Sequence, residues 1–300
     1  MARRRSALLL FPVLLGAALV AGCHTSPKAP PHAFSSGEAA GRPLGHRLRN
    51  GPEHDAALER TGNPYVLELA ADDPGGVLLY YGARHSRDRD DPQVADIIEH
   101  WQAFGPTVAL CEGRQSRHWY GFLVEPFAGL PEPTLVHKLA RADDVPLVSL
   151  EPEYADEVRT LLRRFEPDEV ALYFVLRGYT SEAGGVADEG LALDVIAERL
   201  DVDGLRDTLP DLATVDAVWS RVAPPDAGDW RTRTSEPRDG RLAEISDASR
   251  TARGEHMARA LLDLVDQGER VFAVVGSGHV IRQEWALRDA LGAEPAWDQP

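Results

Sequence analysis

Cysteine is almost missing from this 300-residue chain: Cys23 and Cys111 are the two present, and no Cys-x-x-Cys occurs. A disulfide-stapled scaffold is therefore not what holds the fold together. Signatures of nucleotide and protease chemistry are missing too. No Gly-x-x-x-x-Gly-Lys-Ser/Thr phosphate loop, no His-Glu-x-x-His helix and no dinucleotide fingerprint after the first apolar run is found, which removes kinase and dehydrogenase readings. Ser277 follows Val275-Gly276 and so lacks the first glycine of a Gly-x-Ser-x-Gly elbow, which disfavours a serine triad. There is no internal repeat of solenoid period. Basic charge is scarce, 32 Lys and Arg against 48 Asp and Glu, a net charge of −16. Such a surface repels nucleic acid and anionic lipid headgroups and keeps a protein soluble.

The N-terminus carries an address. Arg3, Arg4 and Arg5 precede an apolar run from Ala7 to Val20, followed by Val20-Ala21-Gly22-Cys23. The run is shorter than the ~20 residues a spanning helix needs. With small residues before a lone cysteine, it resembles a bacterial lipoprotein signal with its lipobox. The implied processing is cleavage after residue 22 and acylation of Cys23 with chains such as palmitate, leaving a chain held at the cell envelope by lipid. Without an Asp after Cys23, the outer membrane is the expected one where a cell has two. Removal of residues 1–22 takes three arginines and no acids, leaving 29 basic against 48 acidic residues, or −19. Residues 23–62, rich in Pro, Gly, Ser, Ala, His and Arg, read as a flexible tether, with His24, His32, His46 and His54 as solvated linker residues.

Residues 63–300 are one domain's worth of chain. Strand-like runs at Gly76–Tyr81, Thr107–Cys111, Val145–Leu150 and Val271–Val275 alternate with helical patterns at Gln93–Phe104, Thr134–Ala142 and Leu242–Asp266. A terminal helix is expected through Trp285 to Leu291. Asp91 and Pro92 form a cap and first-turn pair for the helix after the first strand. The expected fold class is α/β, with a largely parallel or mixed central sheet covered by helices. Residues 155–235 show only helical patterns and read as a helical insertion capping the sheet. Cys111, inside an apolar run, reads as a buried structural thiol.

Each strand-like run ends in a residue suited to catalysis: His85, Glu112, Glu151 and His279. At the carboxyl edge of a parallel sheet these side chains share one crevice. Two imidazoles and a carboxylate suit a divalent ion such as Zn, Mn, Co or Fe, which acidifies bound water. The expected ligands are His85, Glu112 and His279. Arg253 and Met257 share one helix face, placing Arg253 as a clamp for a substrate anion or a carboxylate, and Arg84 stands beside the first His.

Several of these residues, in order, carry a family likeness: Gly82-Ala83-Arg84-His85, Glu112 in Ala-Leu-Cys-Glu-Gly-Arg, Arg253 and Met257 in Arg-Gly-Glu-His-Met-Ala, and Gly276-Ser277-Gly278-His279. The chain thereby resembles the superfamily of the erythromycin esterases (EreA), the ChaN-like haem-binding lipoproteins and the TraB/PrgY/GumN/Tiki group, over roughly residues 77–134 and 250–291. The resemblance implies an α/β core and divalent-metal-dependent hydrolysis in some members, with peptide cleavage in Tiki and ester or lactone opening in the esterases. Gly254 stands where the helix motif often has Asn. Ala83 and Arg84 replace the acidic residue that the ChaN pattern sets before its His. The expected activity is thus a membrane-anchored metal-dependent hydrolase of a small-molecule or peptide substrate. The alternative is a non-catalytic lipoprotein that binds haem, a metal or a peptide.

Overall fold

A computed structural model describes residues 44–71, 75–86, 88, 90–113, 132–235 and 239–293. Residues 1–22 and Cys23 lie outside them, as does the start of the tether. The sheet contains the four expected strands and one more. β1 (Tyr65–Ala70) precedes β2 (Val77–Ala83), β3 (Val108–Cys111), β4 (Leu147–Ser149) and β5 (Arg270–Gly276). Their order across the sheet is β1-β2-β5-β3-β4, with β1 antiparallel on β2 and all other pairs parallel. β1 was not expected. Its inward residues Leu67 and Leu69 alternate with exposed Glu68 and Ala70, the half-solvated pattern of an edge strand rather than the continuous apolar run of a central one.

Helices cover both faces. α2 (Pro92–Phe104) and α3 (Glu132–Ala142) pack on one, where Ile97, Trp101 and Val136 meet Tyr81, Phe272 and Val274. α8 (Gly240–Asp266) and α9 (Ser277–Ala290) cover the other, where Met257, Leu261 and Val280 meet Leu78, Tyr80 and Val271. Strand alternation decides the split: Leu79 and Tyr81 face α2, Leu78 and Tyr80 face α8. Asp91 caps α2 as expected, its side chain accepting from the Gln93 N–H. Cys111 is fully buried, and burial, with Glu112 adding to it, pushes its thiol up to about 12, as befits a structural residue rather than a nucleophile.

The expected helical insertion comprises α4 (Tyr154–Leu161), α5 (Pro167–Ala183), α6 (Glu189–Arg199) and α7 (Leu212–Val222). It has its own apolar cluster around Leu172, Tyr179, Trp219 and Trp230. α8 joins the two bodies: Leu242 and Ile245 belong to the helical cluster, Met257 to Val265 to the sheet core.

The tether expectation needs correction at its end. Folded structure begins before residue 63, with α1 (Gly51–Thr61). Asn50 and Glu53 close a reciprocal capping box around Pro52. Arg49, fully buried, pairs with Glu284 of α9 at 3.1 Å and lies over the Trp285 ring. Leu48 approaches α8 so closely that a Cβ on Gly254 would stand 2.8 Å from it. Glycine at 254 thus gives the Leu48 side chain room against α8.

Candidate functional site

Sheet order explains why distant residues meet. β5 lies between β2 and β3, so its last residue, Gly276, sits between the chain leaving β2 toward His85 and the chain leaving β3 at Glu112. A Cβ on Gly276 would lie 2.7 Å from His85 Nε2 and 3.4 Å from a Glu112 oxygen. Only glycine leaves that space open. The two Gly-x-x-His motifs turn out to be structurally different. His85 stands on an extended loop two residues beyond β2, whereas β5 passes directly into α9 and His279 lies in that helix's first turn. Gly82 is required because a Cβ there would stand 2.8 Å from the Ser277 Cα and from the Tyr65 carbonyl oxygen.

Glu112 is the hub. One oxygen lies 3.2 Å from His279 Nε2, and the other accepts from the Gly276 N–H at 2.9 Å. Burial acts to raise its pKa. The His279 hydrogen bond and charge, the Gly276 amide and Arg253 outweigh burial and hold it at about 2. Glu112 is therefore anionic at neutral pH. Behind it, Arg253 of α8 forks onto Glu151 after β4: Nε donates to Oε2 at 2.8 Å and Nη2 to Oε1, while Nη2 lies 3.9 Å from Glu112. Both partners are buried. Arg253 thus grips a carboxylate of the protein itself, Glu151, beside Glu112. Met257, one turn on, accepts from Gln283 Nε2 at 3.5 Å.

His85 has a carboxylate of its own, Glu132, at the start of α3. His85 Nδ1 lies 3.7 Å from Glu132 Oε2, and Glu132 Oε1 accepts from the Ser86 N–H and from Gln93 Nε2, each at 3.0 Å. Gln93 also clasps the backbone N–H and carbonyl of Arg84. The Glu132 contact raises the His85 pKa above the ordinary 6.5, against the lowering effect of burial. Sequence reasoning missed Glu132 and Gln93. They stand at the starts of α2 and α3, away from any strand end in sequence. Arg84 holds Asp91 through two bonds, at 2.8 and 2.7 Å, and serves the loop rather than the reaction.

A cavity of about 980 Å³ opens above these residues. Ala83, His85 and Gly276 to His279 form its floor. A third imidazole, His54 of α1, also lines it, with Nε2 3.2 Å from where a Gly278 Cβ would be. This residue was read as a solvated linker histidine. The Asn50-x-x-Glu53 capping pair just before it is the signal that places it on a helix.

The donor types His85, Glu112 and His279 suit a divalent ion in their chemistry. Among the described residues, no three His, Cys, Asp or Glu side chains form a group that could hold a metal ion. In this arrangement both Glu112 oxygens are committed to His279 and Gly276. Comparison of the sequence with protein-family profiles and with curated proteins finds no match in either.

Proposed function

We propose that this chain is a hydrolase that activates water at the carboxyl edge of its sheet and is tethered to the cell envelope by lipid on Cys23. An ester, amide or peptide is the bond cleaved. The observation that carries this reading is that His85 and His279 both line an open cavity on either side of Gly276, with Glu112 beneath them against His279 and the Gly276 amide. The likeness of the paired Gly-x-x-His motifs to the TraB and Tiki group points the same way.

His85 is the proposed general base. Glu132 Oε2 lies 3.7 Å from Nδ1 and favours the charged imidazole, while Nε2 faces the space beside Gly276. Neutral His85 takes a proton from water as the water oxygen bonds to the carbonyl carbon. The first turn of α9, which no side chain caps, offers backbone N–H groups to the carbonyl oxygen as it gains charge. When the carbon–oxygen or carbon–nitrogen bond breaks, the protonated His85 returns its proton to the leaving group. Glu112 stays ionised throughout and orients His279.

A divalent ion is the second reading, favoured by the donor set itself. His85, Glu112 and His279 would hold it, and it would supply an acidified water. Binding of haem, a metal or a peptide without chemistry is the remaining proposal. The test is hydrolysis of chromogenic esters and amides by the full-length chain with and without chelator. His85→Ala and His279→Ala abolish turnover if the reading is right, and undiminished turnover in both overturns it.

A further inference from the structure

The cavity wall differs in charge from the rest of the molecule. The chain carries a net charge of −16, yet among the described residues those lining this cavity include Arg177, Arg250 and Arg282, the imidazoles His54, His85 and His279, and a single carboxylate, Asp55. The arginines come from three helices. Arg177 lies on α5 of the helical cap, Arg250 on α8 and Arg282 on α9. Along α8, Ala243, Ser246 and Arg250 face the cavity, and Arg253 and Met257 continue the same stripe at alternating spacings of three and four residues down to Glu112.

The guanidinium groups are incompletely balanced. Arg250 and Arg282 share one carboxylate, Asp247, at 3.8 and 3.7 Å, both beyond hydrogen-bond length, and Asp55 adds a weaker negative influence on Arg282. Arg282 is the more exacting case, since its side chain is only 9% exposed whereas Asp247 is 55% exposed. Burial first, and the neighbouring Arg250 next, lower the Arg282 pKa. A buried cation with so weak a partner is costly unless an anion completes it. Arg177 is better satisfied, at 3.3 Å from buried Glu157, and keeps 33% of its side chain exposed.

We propose that this wall receives the anionic group of the substrate, a carboxylate or phosphoryl group held by Arg282 and Arg250 with Arg177 beside them, so that the scissile bond of the same molecule reaches His85. The guanidinium fork matches the oxygens of either group. The substrate class is then an anionic ester or amide, drawn by local positive potential into a protein whose outer surface repels it. The word substrate here rests on the hydrolase reading; the anion site does not.

The test is calorimetric titration of inorganic phosphate, and separately of succinate, into the full-length chain in neutral detergent micelles. It is run on the unaltered protein, Arg282→Gln, Arg250→Gln and Glu198→Gln, the last on the exposed face of α6. At least one anion binds saturably to the unaltered protein, each arginine variant weakens it roughly tenfold or more, and Glu198→Gln leaves it intact. Phosphate binding without succinate binding assigns a phosphoryl group, and the reverse a carboxylate. Arg250 is half exposed and keeps the test readable if Arg282→Gln does not fold. Absence of binding by both anions, or equal binding by the arginine variants, overturns the proposal even if the protein hydrolyses neutral esters. Binding that behaves as expected in a protein without hydrolytic activity sustains the anion site and removes the hydrolase reading.

Discussion

The floor and the wall of the cavity were built by different means. The floor is made by strand ends, where a backbone repeat of 4.7–4.9 Å between neighbouring strands brings residues together whatever their separation in sequence. The wall is made by helix faces, where a side chain reaches the cavity only if the helix is rotated and docked correctly. At the strand ends, Glu112 accepts from the Gly276 amide at 2.9 Å and meets His279 at 3.2 Å, and Arg253 forks onto Glu151. In the wall, Arg250 and Arg282 share one distant carboxylate. Chemistry demands fixed positions, whereas capture of an anion demands unspent charge.

The sharpest way to break this contrast is to remove a fixed partner. Arg253→Met leaves Glu151 as an uncompensated buried carboxylate and should destabilise the protein by about 3–5 kcal/mol in denaturant unfolding. The matching loss from Arg250→Gln in the wall should be too small to shift the midpoint. Core truncations probe the two bodies. Leu110→Ala in the sheet and Leu176→Ala in the cap, both buried, should each cost about 2–5 kcal/mol. Both should move one common unfolding transition, because α8 contributes to both clusters. Two separate transitions would show that the cap unfolds independently.

Gly276→Ala should leave stability nearly intact but lower turnover about 100-fold, since the added Cβ occupies the space beside His85 Nε2. Glu132→Gln should have a gentler effect. Glu132 raises the His85 pKa, so its removal should move the acidic limb of the pH–rate profile to lower pH. The stability signs follow. His85, with a raised pKa, stabilises below its ordinary 6.5, and that contribution is lost as pH rises through the raised value. Glu112 is depressed from 4.5 to about 2, so its contribution is complete above 4.5 and is lost as pH falls toward 2, on the order of a few kcal/mol. Arg206→Ala, on the exposed Asp201 and Asp203 pair, should leave Tm unchanged.

How much of this was legible follows the same division. The four parallel strands were readable as apolar runs, and their ends led to His85, Glu112, Glu151 and His279. β1 escaped because Glu68 interrupts its apolar pattern on the solvent side. α1 escaped because composition outweighed the Asn50 and Glu53 capping pair, and His54 was lost with it. Glu132 and Arg282 had no local signal. Their roles depend on where α3 and α9 dock, which the pairing of strands decides. The pairing of Arg253 with Glu151 was not legible, because the two lie 102 residues apart in sequence.

The most direct measurement is the initial rate of hydrolysis of mono-p-nitrophenyl succinate by the full-length chain beside His85→Ala and His279→Ala, each shown to be folded. Turnover by the unaltered protein, reduced at least about 100-fold in both variants, is the predicted result. Equal rates in all three, whether above the uncatalysed reaction or indistinguishable from it, would contradict the assignment of the strand-end histidines to catalysis.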